Sequence, residues 1–282
     1  MEVFDKAALL AEKIATFRQD GKSIGFVPTM GALHEGHLSL VRFSRLQNDV
    51  TVVSIFVNPN QFNDKSDLER YPRMPEKDGA LLQHAGCDLL FMPDVDEVYP
   101  EPDTRIFDFG GLDQVMEGKH RPGHFNGVAQ VVTRLFDRVK PHRAYFGLKD
   151  YQQVAIIRKV MSDLQYPVEI VSCPIVRECD GLAMSSRNML LSAEERKRAL
   201  ILSQSLFQGR ERMKQGHQVV EVKKFVEDRV DSAEGVDLEY FEIIDGTTLL
   251  PARNWNAGGD VIGCIAARVG KVRLIDNINF SS

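Results

Sequence analysis

Between residues 24 and 171, short apolar runs rich in β-branched residues alternate with stretches whose apolar residues recur at helical spacing. No other feature of the chain constrains the fold as much. Ile24-Gly25-Phe26-Val27 reads as a strand, and Leu38, Leu40, Val41 and Leu46 read as one face of a helix. Val50 to Val57 is apolar along nearly its whole length. A strand without polar alternation is buried on both faces, as in a parallel sheet covered by helices. The pattern continues with a helix over Pro75–Ala85, a strand over Leu89–Met92 and a helix over Gly127–Val139. A strand at Ala144–Phe146, a helix from Tyr151 to Leu164 and a strand from Val168 to Val171 complete it. Phe4 to Asp20 precedes it as a helix, with Asp5 as the expected N-cap. Strand, helix, strand, repeated about five times, predicts an α/β fold with a doubly wound parallel sheet of Rossmann-like type. Ligands in such sheets bind outside the carboxyl ends of strands, which directs attention to the loops after Val27, Val57 and Phe146.

After Pro174 the pattern changes. Ser192 to Gln215 reads as a helix opened by a capping box, Ser192 with Glu195 three residues on. A helix over Val219–Val230 follows, then strand-like segments at Glu239–Ile244, Val261–Arg268 and Lys271–Leu274, the last two joined by a turn at Gly270-Lys271. The expected division is a Rossmann-like domain over 1–175 and a smaller α+β domain over 176–282, the latter acting as a lid.

Composition narrows the function. The 282 residues carry 35 Lys and Arg against 40 Asp and Glu, a net charge of −5. That balance opposes a dedicated nucleic-acid binder, which carries a basic excess. No apolar run approaches the roughly 20 residues that span a bilayer. Met1-Glu2-Val3-Phe4-Asp5-Lys6 lacks the order of a signal peptide, so a cytoplasmic protein is expected. Cys87, Cys173, Cys179 and Cys264 form no Cys-x-x-Cys pair and are expected to be buried, reduced thiols.

Five segments hold residue types suited to chemistry. Pro28 to His37 places two histidines and two glycines between a strand and a helix. Glycines let backbone approach a ligand, a helix start presents N–H groups to an anion, and histidines can donate to charge developing on a phosphate. Capping of the helix by one histidine, or metal binding by both, are the competing readings. The His-x-x-His spacing differs from the helical zinc spacing and lacks a third ligand nearby. Val57 to Asn63 carries four amides, a solvated loop or an uncharged site for hydroxyls and a carboxylate. Glu117 to Gly127 combines basic residues and glycines before a helix, an anion site or a solvated basic loop. Phe146 to Gln153 sets Lys149 and two amides at a strand end, either phosphate and substrate contacts or, for Lys149, a plain surface charge. Ala183 to Asn188 offers two hydroxyls and a guanidinium, either a flexible segment closing over a triphosphate or a plain linker.

Jointly and in this order, Pro28–His37, Phe56–Phe62, Arg121–Gly127, Gly147–Gln153 and Gly181–Asn188 closely resemble the pantoate–β-alanine ligase (pantothenate synthetase) family, over essentially the whole chain. The His-x-Gly-His pattern of His34 to His37 alone would imply only a nucleotidyltransferase. The resemblance implies a two-step ligation of pantoate and β-alanine through pantoyl adenylate, with ATP and Mg²⁺, in a homodimer, without nucleic acid or membrane. It implies catalytic roles for His34, His37, Lys149 and Arg187. The implied ATP site comprises Met30, Gly31, Ala32, Leu33, His34, Glu35, Gly36, His37, Gly147, Leu148, Lys149, Asp150, Val176, Met184, Ser185, Ser186 and Arg187. Gln61, Gln153 and Arg121 are the implied substrate contacts, and Asp78 an implied Mg²⁺ ligand. Two rival readings are a nucleotidyltransferase acting on a phosphorylated acceptor and a nucleotide-binding protein without catalysis. The amide-rich Asn58–Gln61 loop opposes the first, and the presence of His34, His37, Lys149 and Arg187 opposes the second.

Overall fold

A computed structural model of the chain describes residues 1–256 and 259–281. The chain forms two compact units. The first comprises Met1–Asp113, Arg121–Leu148 and Gln153–Pro174; the second comprises Gln114–His120, Lys149–Gln152 and the chain from Ile175 onward.

In chain order the elements up to Pro174 are β1 (Glu2–Phe4), α1 (Ala7–Gln19), β2 (Ile24–Thr29), α2 (Glu35–Gln47) and β3 (Val50–Ile55). Then come α3 (Lys65–Arg70), α4 (Pro75–Ala85), β4 (Leu89–Phe91), α5 (Val95–Val98) and α6 (Met116–His120). Helix α7 (His124–Val139), β5 (Arg143–Gly147), α8 (Tyr151–Asp163) and β6 (Glu169–Cys173) complete this part. The six strands form one sheet in the order β1-β4-β3-β2-β5-β6, every pair parallel. From β2 the chain winds outward through β3 and β4, then returns to place β5 and β6 on the other side. The switch point therefore lies between the carboxyl ends of β2 and β5, the position at which such sheets take ligands. Phe26, Val52, Phe91 and Phe136 pack one face of the sheet, and Val27, Val53, Leu90 and Tyr145 the other. This two-sided burial is what the continuous apolar character of Val50–Ile55 encodes.

The amino-terminal helix differs from expectation in its start. Glu2–Phe4 pairs with Leu89–Phe91 as an edge strand, and Lys6 rather than Asp5 is the N-cap. The first-turn amide of Ala7 donates instead to Glu97 Oε1 at 3.0 Å, across 90 residues of sequence. A carboxylate from a remote helix thus takes the place of the local cap, and backbone pairing with β4 draws Phe4 out of the helix.

The second unit is built on an antiparallel sheet of β7 (Val236–Asp245), β8 (Val261–Val269) and β9 (Val272–Asn279) in that order. Helices α9 (Ala193–Lys214) and α10 (Val219–Asp231) pack on it around Leu206, Val222, Val226, Phe241 and Ile265. The Ser192–Glu195 capping box forms in both directions, at 3.2 and 2.8 Å. Val269 pairs with Val272, so Gly270-Lys271 is the expected hairpin turn. All four cysteines are free, but Cys179 is exposed, against the expectation of four buried thiols, because it sits in the tight turn between Glu178 and Leu182. Burial pushes the thiol of Cys87 up to about 12 and that of Cys173 to about 11. Among the described residues no helix is long and apolar enough to cross a membrane.

Candidate active site

In the first unit, β2 ends at Thr29 and the chain turns sharply before α2. Gly31 has φ +81, and a Cβ there would lie 3.0 Å from both Asp78 and Ile55, so only glycine fits without displacement. Ala32 follows at φ +50, a left-handed conformation that costs a non-glycine residue about 1 kcal/mol. What holds it there is Asp78 on α4. Its Oδ2 accepts from the Ala32 amide and its Oδ1 from the Leu33 amide, each at 2.8 Å.

His34 is the N-cap of α2, and its Nδ1 accepts from the Gly36 amide at 3.2 Å. The Nδ1 of His37 in turn accepts from the His34 amide at 3.4 Å, and the two rings lie 4.1 Å apart. The capping reading, held open as an alternative, is thus correct for both rings and compatible with the functional one. An Nδ1 that accepts leaves the proton of the neutral ring on Nε2, so the cap also fixes which ring nitrogen donates. Glu35 points away from this arrangement, exposed and paired with Arg42.

In the second loop Asn58 and Gln61 are buried, while Asn60 and Asn63 are exposed. Gln61 closes a short 3-10 turn (Pro59–Gln61); its Oε1 accepts from Asn58 at 3.1 Å and its Nε2 donates to the Met30 sulfur at 2.9 Å. Asn58 also donates to Gly127 O on α7 and accepts from the Tyr99 hydroxyl at 2.9 Å. Burial, then the Asp103 carboxylate, drive the Tyr99 phenol well above its usual range, which keeps it a donor. Helix α7 approaches so closely that a Cβ on Gly127 would meet Asn60 O at 2.2 Å.

The third segment adds a residue to which sequence reasoning gave no role. His124, buried at the first turn of α7, has Nδ1 at 2.7 Å from Gln61 O and Nε2 at 3.1 Å from Arg121 Nη1. A carbonyl only accepts and a guanidinium only donates, so His124 carries its proton on Nδ1 and accepts at Nε2. Arg121 and Gln61 are joined through this one ring. Strand β5 ends at Gly147, Leu148 follows it directly, and Gln153 is half-buried on α8.

In the second unit, the Lys149 ammonium lies 3.7 Å from Asp150, and its backbone carbonyl accepts from Asn277 at 2.8 Å. Val176 O accepts from the Met184 amide at 3.0 Å, and Arg177 bridges to Ala183. Ser185 caps the 3-10 turn Ser186–Leu190 by accepting from the Arg187 amide at 3.3 Å, and Ser186 is buried. The segment forms a 3-10 turn in which Asn188 also donates to Ala183 O and Glu178.

Asp78 fits poorly as a magnesium ligand. The residue is 1% exposed and both its oxygens are held by amides of the Ala32-Leu33 turn. Among the described residues no three His, Cys, Asp or Glu side chains gather as a metal site.

A doubly wound sheet with a glycine-turned, histidine-capped loop at its switch point defines the class, an α/β protein that receives an anionic, nucleotide-like ligand beyond a strand end. Over residues 2–279 the chain matches the family model described as Pantoate-beta-alanine ligase. It is 56% identical over 280 residues to a pantothenate synthetase of Bacteroides fragilis strain YCH46, covering 99% of each chain. Its structure resembles that of the pantothenate synthetase from Thermus thermophilus, with TM-score 0.94, 47% identity and all of both chains covered. A pantoate-β-alanine ligase from Francisella tularensis, solved with beta-gamma ATP and β-alanine, matches with TM-score 0.84 and 33% identity over 100% of this chain and 98% of that one. The chain belongs to the pantoate–β-alanine ligase family.

Proposed function

We propose that the chain joins pantoate to β-alanine at the cost of ATP, using His34, His37, Lys149 and Arg187 on the nucleotide phosphates. The reaction is a two-step ligation. A pantoate carboxylate oxygen attacks the α-phosphorus of ATP and pyrophosphate leaves, giving pantoyl adenylate. The β-alanine amine then attacks the acyl carbon, loses a proton, and expels AMP to give pantothenate. Adenylation is needed because a carboxylate is a poor acyl donor, and AMP leaves far more readily than oxide.

The observation that carries this reading is the family match over residues 2–279, within which all the motif residues are present. Nε2–H groups of His34 and His37 stabilise charge on the phosphates, and His37 is the proton donor. Met30 through His37 line the nucleotide site, with Gly147, Leu148, Asp150 and Val176 on the nucleoside, Asp150 toward ribose hydroxyls. Lys149 and Arg187 neutralise the β- and γ-phosphates, helped by hydrogen bonds from Ser185 and Ser186, and Met184 lines the same site. Gln61 and Gln153 bind pantoate, Gln61 also places β-alanine, and Arg121 contacts a substrate anion. Mg²⁺ enters as the Mg-ATP substrate, where it would keep several of its waters and bind phosphate oxygens. The family resemblance also implies a homodimer; sedimentation should then give a species at twice the 31.8 kDa chain mass.

The test is sequential. Mg-ATP with pantoate alone should release pyrophosphate, and β-alanine added afterwards should release AMP. Folded protein that yields neither pyrophosphate nor a bound adenylate overturns the substrate assignment. Lys149→Ala should cut pyrophosphate release by orders of magnitude, on the order of 10²-fold or more, the loss expected for a preorganised charge on the reacting group.

A further inference from the structure

Within the second unit, one edge strand grips four separate stretches of chain. On β9, Arg273 donates to both oxygens of Glu117 at 2.8 and 2.6 Å and to Glu239 at 2.8 Å. Asn277, on the same face, donates through Nδ2 to the Lys149 carbonyl at 2.8 Å. Asp276, on the opposite face, accepts both nitrogens of the Arg177 fork at 2.7 and 2.9 Å, and that fork also donates to Gly181 O and Asn277 O. Asp276 and Asn277 are 4% and 5% exposed, so these polar groups are sealed from water. The stretches they hold matter for the reaction as read above: one contains Lys149, and the other is the turn from Arg177 to Ala183 that leads directly into Met184–Arg187.

The geometry points to Asn277, seconded by Asp276, as a positioning residue for the cations that neutralise the departing pyrophosphate. This rests on the proposed role of Lys149. A carboxamide suits the task because a carbonyl needs a donor, and Nδ2 supplies one from a rigid strand instead of a loop. The neighbouring Asp276 carboxylate accepts the Asn277 amide at 2.7 Å, which fixes the local backbone. Asp276 lies beside the Arg177 charge it needs, so burying it leaves no isolated anion near Lys149. Asn277 meets Lys149 at its backbone carbonyl, so it acts on where the ammonium sits and adds no charge of its own.

The two half-reactions separate this role from a general structural one. The phosphates that Lys149 neutralises have left before aminolysis begins. Asn277→Ala should therefore lower pantoate-dependent pyrophosphate release from Mg-ATP about tenfold, the scale of one buried carbonyl left unpaired. Release of AMP from supplied pantoyl adenylate on adding β-alanine should stay within about twofold of the parent. Asn277→Asp, which keeps the shape and loses the donor, should behave alike; Asn277→Ser, which keeps a shorter donor, should retain part of the activity. In a Lys149→Ala background, Asn277→Ala should cause no further loss, since its effect passes through Lys149. The inference is overturned if both half-reactions fall in proportion, or if the Lys149 and Asn277 losses multiply. Near-normal pyrophosphate release by folded Lys149→Ala protein would instead remove the reading of Lys149 itself, and this inference with it.

Discussion

Asp78 and His124 illustrate how a residue's use depends on partners the sequence does not place beside it. A carboxylate on a helix near a nucleotide loop invites assignment to a metal, yet both Asp78 oxygens bind the amides that hold Ala32 at positive φ. Asp78→Asn turns one acceptor into a donor facing an N–H, a change worth about 2 kcal/mol for a buried charged hydrogen bond. The expected result is a higher KM for ATP with an unaltered Mg²⁺ midpoint at saturating ATP; a displaced midpoint would restore the metal role. His124→Phe keeps the ring and removes both hydrogen bonds. It should raise the KM for pantoate while leaving that for ATP near the parent value, because Gln61 and Arg121 are what the ring orients.

At the scale of elements, local rules and tertiary contacts give opposite answers at two helix positions. Ser192→Ala removes a cap whose partners lie three residues away, and should cost about 1 kcal/mol in chemical denaturation without altering pyrophosphate release. At Gly127 helix propensity alone favours alanine by about 1 kcal/mol. The Cβ would nevertheless stand 2.2 Å from Asn60 O, and the backbone there cannot yield without displacing Gln61. Gly127→Ala should therefore lower the melting temperature and weaken pantoate binding together. A stabilised protein with normal pantoate affinity would show that the loop accommodates the methyl group. The same division explains which elements were legible. Helices such as α4 and α8 and strands such as β3 carry their own periodicity, whereas Glu2–Phe4, Lys65–Arg70, Val95–Val98 and Met116–His120 are too short to show one.

At the scale of the molecule, the polar scaffolding beneath the amide loop links stability to pH. Asp103 is gripped by Arg105 and Arg134, and Arg134 lies over the Tyr99 ring whose hydroxyl reaches Asn58. The Arg105 hydrogen bonds, with Arg134 adding to them, hold the Asp103 carboxyl well below the usual carboxylate range. A depressed folded-state pKa contributes stability above the unfolded value of about 4, lost as pH falls through the folded one. Asp103→Asn should thus unfold more easily than the parent at pH 7, with the gap closing progressively below pH about 4. A gap independent of pH would assign the effect to packing. The chain also crosses between the two units more than once, since Gln114–His120 and Lys149–Gln152 join the second while their flanking segments belong to the first.

The sequence by itself determined the parallel α/β sheet, the later α+β elements and the loops bearing His34, His37, Gln61, Lys149 and Arg187. These follow from periodicities and motifs confined to a few consecutive residues. Only the tertiary structure decided that Asp78 supports a turn, that His124 joins Arg121 to Gln61, that Glu97 caps a helix 90 residues away and that Asn277 holds Lys149. Spacing along the chain controls what residues three or four apart can do for one another. The partner of a buried donor or acceptor is set by which distant segments the packed core brings within about 3 Å.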